Sequence, residues 1–129
     1  MFTIDKLSRT PIYEQLIAQF EYGILSGEIA ADGKLPSVRE LSQALCVNPN
    51  TLQRAFNEIE ARGLCYSVPG SGRYIAKDAL ERLKAGIDRS LAEFVTMTEL
   101  LKARGVSEQL LKQTVETVYQ SKSGKETES

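Results

Sequence analysis

The chain has 129 residues, of which 42% are apolar and 26% charged, an ordinary composition for one soluble globular domain with an apolar core. It contains no histidine and only two cysteines, so we expect neither an enzyme nor a bound metal or other cofactor. No run of eighteen apolar residues indicates a membrane span, and the start MFTIDKLSRTP lacks a signal-peptide layout, which predicts a cytoplasmic protein without a membrane partner.

The charge balance is close to neutral, with a net charge of −1 and an isoelectric point of about 5.6. Bulk electrostatics therefore does not indicate a nucleic-acid partner, and binding to one requires basic residues that converge on one surface. The two cysteines, Cys46 and Cys65, do not form a disulfide or zinc pattern, and we expect both to be buried as small apolar residues.

The first helix is predicted to follow Thr10 as its N-cap, with Pro11 in the first helical position and Gly27 at its end. A second, short helix is predicted to begin with a capping box formed by Ser37 and Glu40. The residues expected to face inward are Ile12, Leu16, Phe20 and Ile24 in the first helix and Val38, Leu41, Ala44 and Leu45 in the second. The second helix then presents Arg39 outward near its positive end, which is useful only if an anion binds there.

A third helix is predicted from Pro49 to Arg62, with Asn48 as N-cap and Gly63 after its end. Its apolar stripe contains Leu52, Ala55, Phe56 and Ile59, and the opposite stripe contains Asn50, Gln53, Arg54 and Asn57. Asparagine is a poor helix former, so its repeated use on one exposed face requires a reason.

The pattern then changes to two short β-prone runs, CYSV and RYIA, joined by the turn sequence PGSG, which predicts a hairpin packed on the helices. A long fourth helix is predicted from Asp78 to the stop at Arg104 and Gly105, and Ser107 caps a fifth. The polar residues 122–129 are expected to be a disordered tail.

Three helices followed by a glycine-tipped hairpin are the layout of a winged helix-turn-helix, in which the third helix enters the major groove of DNA. Asn and Gln side chains can pair with adenine, and Arg with guanine, which explains an amide-rich face. Taken singly, each of these polar residues is better explained as a cap or a solvated residue, but the whole stripe favours base recognition. The alternative function is a winged-helix module that binds another protein and shows no base preference.

The segment LPSVRELSQALCVNPNTLQRAFNEIEARGL, with GSGRYIA after it and PIYEQL before it, closely resembles the signature of the GntR family of bacterial transcription regulators. The resemblance extends from about residue 11 to residue 76. The short remainder is similar to the YtrA subfamily, whose C-terminal appendage serves dimerisation. The resemblance implies a mostly α fold with a small β-hairpin, divided into a winged helix-turn-helix over residues 1–76 and a helical dimerisation segment over residues 77–121.

The resemblance also assigns roles to individual positions. Better known members carry base-contacting arginines at the positions of Pro49 and Gln53, so the guanine recognition they provide is not expected here. The predicted DNA-binding residues are Ser37, Arg39, Asn48, Asn50, Thr51, Gln53, Arg54, Asn57, Gly70, Ser71, Gly72 and Arg73. The apolar stripes of the last two helices, and not the resemblance, predict the dimerisation residues, which are Ile87, Leu91, Phe94, Leu101, Leu111, Val115 and Val118.

These assignments predict a homodimeric regulator, most simply a repressor, that binds a palindromic double-stranded DNA operator. The alternative for the apolar residues of the last two helices is that they pack within one chain. A small-molecule effector is left open, since no ligand domain is recognisable.

Overall fold

The computed structural model describes residues 2–121, which form five helices and one two-stranded antiparallel sheet. The elements in chain order are α1 (Ile12–Ser26), α2 (Val38–Leu45), α3 (Pro49–Ala61), β1 (Cys65–Val68), β2 (Gly72–Ile75), α4 (Ala79–Ala103) and α5 (Glu108–Gln120). The chain divides into two compact units, Met1–Lys84 and Ala85–Ser129. The mostly α fold with a small hairpin is confirmed, whereas the predicted disordered tail lies outside the described residues.

The core of the first unit lies between α1, α2, α3 and the sheet. Phe20 is 1% exposed and its ring meets the Phe56 ring edge-on, with the centroids 6.3 Å apart. Leu52, Ala55 and Ile59 are fully buried on the same face of α3 as Phe56. The apolar stripe predicted for α3 is therefore the face that packs on the core, and the polar stripe is left outside.

The hairpin is stabilised by a neighbour on its free edge. β1 pairs with β2 from Cys65 opposite Ile75 to Val68 opposite Gly72. The loop before α2 pairs with the other edge of β2: the backbone N–H of Leu35 donates to the Arg73 carbonyl at 2.9 Å. This third, short strand-like segment explains how a hairpin too small to be stable alone is held.

Two details at the helix ends differ from the sequence predictions. Thr10 does not cap α1; Pro11 occupies the N-cap position with extended backbone, so Ile12 is the first helical residue. Ala44 is exposed, because α2 is short and only Leu41 of this helix is fully buried. The predicted helix ends at Gly27, Gly63 and Gly105 are confirmed by their left-handed backbone, with φ of 85°, 79° and 89°.

The two cysteines have different environments. Cys65 is buried in β1, and burial raises the pKa of its thiol to about 11. Cys46 is exposed, contrary to the sequence prediction, because it is the left-handed C-cap of α2, with φ of 55°. A left-handed cap residue turns the chain outward before the buried Val47 returns to the core.

We expect iodoacetamide at pH 8 to alkylate Cys46 in the folded protein and to leave Cys65 unmodified, because only the thiolate reacts and Cys65 is both buried and protonated at that pH. Peptide mass spectrometry after a short exposure measures the labelling of each cysteine. In guanidinium chloride both should react. Equal labelling of the two cysteines in the folded protein would contradict the buried position of Cys65.

Within the described residues, no helix combines the length and the hydropathy needed to cross a bilayer. Residues 2–121 also hold no group of three or more histidine, cysteine or acidic side chains arranged to bind a metal ion.

Candidate nucleic-acid interface

The helices α2 and α3 are both capped by side chains of the predicted residues. The Glu40 backbone N–H donates to Ser37 Oγ at 3.0 Å, and the Ser37 N–H donates to Glu40 Oε1 at 2.8 Å, which completes the capping box. The backbone and side-chain hydrogen bonds from Ser37 lower the pKa of Glu40. Asn48 Oδ1 accepts from the Asn50 N–H at 2.8 Å. The caps hold the starts of both helices, with Asn48 as the predicted N-cap of α3.

The outward face of α3 carries the predicted amides. Asn50 and Asn57 are exposed, and Thr51 and Gln53 are partly buried. Gln53 Nε2 donates to Asn57 Oδ1 at 2.9 Å, one helical turn further along. These side chains lie opposite the packed stripe of α3, so the helix presents hydrogen-bonding groups outward, as base recognition requires.

Arg54 lies at the edge of this face and stacks on α1. Its guanidinium carbon is 3.6 Å from the centroid of the Tyr13 ring, a cation–π contact. The contact orients the guanidinium without neutralising it, and Arg54 is exposed. Arg54 can therefore still donate to a phosphate or a base edge.

The tip of the hairpin has the backbone geometry expected of a wing. Gly70 and Gly72 have φ of 78° and 138°, which L side chains rarely adopt. A Cβ added at Gly72 would lie 3.0 Å from Lys34 Cε. The hydroxyls of Ser71 and Tyr74 are hydrogen-bonded to each other. The glycines thus allow a close backbone approach at a tip supported by Tyr74.

The start of α2 and the wing lie side by side and form a shallow cleft of about 380 Å³. Its basic lining residues are Lys34, Arg39 and Arg73, and Glu40 is the acidic one. Arg39 is exposed, as predicted. The tertiary structure therefore brings together basic residues that are nearly forty positions apart, and three of the four charged residues that line the cleft are basic.

Arg73 is the predicted residue whose surroundings differ most from expectation. Its Nε lies 3.3 Å from Glu60 Oε1, its Nη2 donates to Asn57 Oδ1 at 3.4 Å, and its side chain is only 21% exposed. The guanidinium carbon is 5.3 Å from the Phe56 ring centroid. Arg73 is thus paired within the chain, and its contact with a phosphate stays a prediction.

The predicted dimerisation residues lie on the helices of the second unit. Ile87, Leu91 and Phe94 of α4 are 44%, 57% and 56% exposed, and Val115 and Val118 of α5 are exposed as well. Leu101 and Leu111 are partly buried. No residue between 85 and 121 is buried in the single chain. These apolar side chains are therefore largely solvent-accessible in the single chain, and their role in dimerisation stays a prediction.

Sequence reasoning missed three residues that organise the interface. Tyr13 supports Arg54, Glu60 pairs with Arg73, and Ser67 donates to Glu60 Oε1 at 2.9 Å. The spacing of Asn57 and Glu60 on one helix face was a usable signal. Their approach to Arg73 and Ser67 was not, because it depends on how the hairpin packs against α3.

The capped helices α2 and α3 are joined by a tight turn, α3 carries outward amides, and a glycine-tipped wing lies beside it. These features define the winged helix-turn-helix class of DNA-binding transcription regulators. The family model described as "Bacterial regulatory proteins, gntR family" matches residues 12–75. The chain belongs to the GntR family.

Individual relatives agree with this assignment. The HTH-type transcriptional repressor YtrA of Bacillus subtilis is 43% identical over 86 residues, which are 67% of this chain and 66% of YtrA. The solved structure of a GntR family transcriptional regulator from Listeria monocytogenes is 33% identical, with a TM-score of 0.65 over 88% of this chain and 98% of that one. The DNA-binding domain of AraR in complex with operator ORX1 is 30% identical, with a TM-score of 0.51 over 59% of this chain and all of that one (100%).

Proposed function

We propose that the chain binds a palindromic DNA operator as a homodimer and represses transcription from it in the cytoplasm. The observation that carries the proposal is the outward stripe of Asn50, Gln53, Arg54 and Asn57 on a capped α3, directly beside the wing. YtrA is named a repressor and the AraR domain was solved on an operator, and both similarities support a repressor acting on DNA.

The proposed homodimer follows from the second unit. The exposed apolar side chains of α4 and α5 need a partner surface, and a second copy of the chain offers the same surface with two-fold symmetry. Two α3 helices related by a two-fold axis require two half-sites about one helical turn apart, roughly 34–36 Å, with inverted sequences. A palindrome is therefore the form of operator that the dimer demands.

The experiment that tests the proposal is selection from a random DNA library at two salt concentrations, followed by sequencing. Two inverted half-sites, centred about 10 base pairs apart, are the expected result. A single half-site would contradict the dimer. If the protein retains DNA at low salt but not at physiological salt, and no sequence is enriched, the result would contradict specific recognition and favour the protein-binding alternative.

The salt dependence of operator affinity gives a further prediction. The ion pairs within residues 2–121 include Arg73 but not Lys34, Arg39 or Arg54. With these three cations on each subunit of a dimer, about 6 phosphates are neutralised, and we expect a slope of roughly −5 for log affinity against log salt concentration. Fluorescence anisotropy with a labelled operator measures the slope.

The variant that tests this prediction is Arg39→Met, which removes one cation from each subunit. It should make the slope less steep by about 2. The same change at Arg82, which pairs with Asp78 outside the interface, should leave the slope unchanged. Equal slopes for the wild type and the Arg39 variant would show that Arg39 does not meet a phosphate.

A further inference from the structure

A chain of hydrogen bonds runs from the wing across the outward face of α3. Ser67 Oγ donates to Glu60 Oε1 at 2.9 Å, and Arg73 Nε donates to the same oxygen at 3.3 Å. Arg73 Nη2 then donates to Asn57 Oδ1 at 3.4 Å, and Gln53 Nε2 donates to that oxygen at 2.9 Å. We call Glu60, Arg73, Asn57 and Gln53 the amide relay.

The relay starts from a group that can only donate. A guanidinium has no acceptor, so the Asn57 atom that faces Arg73 must be the oxygen and not the nitrogen. Because this oxygen also faces Gln53, Gln53 must contribute its nitrogen. The positive charge of Arg73 therefore decides the orientation of both amides.

The orientation leaves a defined set of groups for the major groove. Gln53 retains its oxygen and one N–H, since only one hydrogen of its NH₂ group is used by Asn57. Asn57 retains its NH₂ group, since its oxygen accepts from both neighbours. Gln53 thus offers an acceptor together with one donor, and Asn57 offers donors only.

The anchor of the relay is itself held in place. Arg73 lies on β2 directly opposite Ser67 on β1, and both side chains reach Glu60 on α3. The Arg73 side chain is 21% exposed and lies over the Phe56 ring. A side chain fixed by packing and by an ion pair orients its neighbours with little further loss of entropy on binding.

We propose, on the basis of the proposed function, that Gln53 determines the sequence preference at one operator base pair by directing its oxygen to an exocyclic amino group. Asn57 and Arg73 are the positioning residues that maintain this orientation of the Gln53 amide. The amino groups in the major groove are adenine N6 and cytosine N4. The remaining N–H of Gln53 can also reach adenine N7, so adenine is the expected base.

This role for Arg73 differs from a phosphate contact in what it predicts. A phosphate ligand contributes equally to all sequences, so its loss weakens every DNA alike. A positioning residue acts on base preference. Its loss therefore reduces the difference in affinity between the best base and the other bases, and does so at one base pair only.

The variant Gln53→Ala first identifies the operator base pair at which the base preference is lost. Arg73→Met, Asn57→Leu and the double variant are then compared by their affinities for four operators, each with a different base at that pair. We expect the preference of the wild type, about tenfold, to fall to about twofold or less in each single variant. The preference of the double variant should be no lower than that of the single variants, because both changes break the same relay.

Asn57→Asp keeps oxygens toward Gln53 and Arg73 and should keep the preference, although its charge weakens binding to all DNA. Arg82→Met is the matched control for the loss of one arginine and should change neither quantity.

A second readout does not depend on DNA. In the free protein, the side-chain amide resonances of Gln53 should shift in Arg73→Met and in Asn57→Leu and remain unchanged in Arg82→Met. If Arg73→Met leaves both the Gln53 resonances and the base preference unchanged while weakening all sequences alike, the relay is wrong and Arg73 is a phosphate ligand. A wild-type protein with no base preference at any pair would overturn the proposed function together with the role of Gln53, even if the amide resonances still reported the relay.

Discussion

Replacing Phe94 with glutamate is expected to convert the protein to a monomer and to lower its affinity for a two-half-site operator by at least about 100-fold, since the second half-site is then no longer bound at high effective concentration. Phe94 is 56% exposed in the single chain and lies on the same face of α4 as Ile87 and Leu91. A carboxylate placed in an apolar contact between two copies must lose its hydration without gaining a partner. Sedimentation at micromolar concentration and anisotropy with the selected operator measure the two effects.

The control is Ala92→Glu, which introduces the same charge on the opposite face of the same helix. Ala92 is two positions from Phe94, about 200° around the helix axis. This variant should remain a dimer and bind the operator like the wild type. A dimeric Phe94→Glu protein, or a monomeric wild type, would show that these apolar residues do not form the subunit contact.

Replacing Phe20 with alanine is expected to destabilise the first unit by about 3–5 kcal/mol, the range for a large aromatic removed from a packed core. Phe20 is 1% exposed, and its ring lies between Phe2, with centroids 6.2 Å apart, and Phe56, at 6.3 Å. Phe56 also carries the contact with Arg73, so the cavity would loosen both α3 and the anchor of the amide relay. Operator affinity should fall with stability.

Hydrogen exchange followed by mass spectrometry on peptides from α3 measures this loss in the first unit without interference from α4 and α5. Protection should fall by roughly two to four orders of magnitude, in line with the free-energy loss. Tyr22→Ala, two positions away on α1, removes a side chain that is 68% exposed and should change protection little. Similar losses for the two variants would contradict the core position of Phe20.

Much of the fold was predictable because it depends on local signals. The capping box of Ser37 and Glu40, the Asn48 cap and the glycine stops each act over a few residues, and all appear at the predicted positions. The hairpin also followed from its glycine-rich turn. The errors at Thr10, Ala44 and Cys46 fall at helix ends or on a short helix, where a shift of one residue changes which side chains are covered.

The sequence alone determined which residues face outward on α3, since helical periodicity places Asn50, Gln53 and Asn57 opposite the apolar stripe whatever the rest of the chain does. Its spacing also predicts an apolar stripe on each of the last two helices. The structure adds that no residue between 85 and 121 is buried in the single chain. The first property agrees with a DNA-binding regulator, and the second is the basis of the proposed homodimer.

Only the tertiary structure decided what the arginines do. Arg54 and Arg73 are both basic residues near the interface in sequence, yet one stacks on Tyr13 with its charge available and the other is paired with Glu60 and Asn57. The pairing of Arg73 depends on the hairpin folding back onto α3, a contact between residues 13 to 16 positions apart. No local pattern encodes that approach, because it results from how the wing packs on the core. The pairing of Arg73 sets the orientation of the Asn57 and Gln53 amides, whereas the sequence predicts only that these amides face outward.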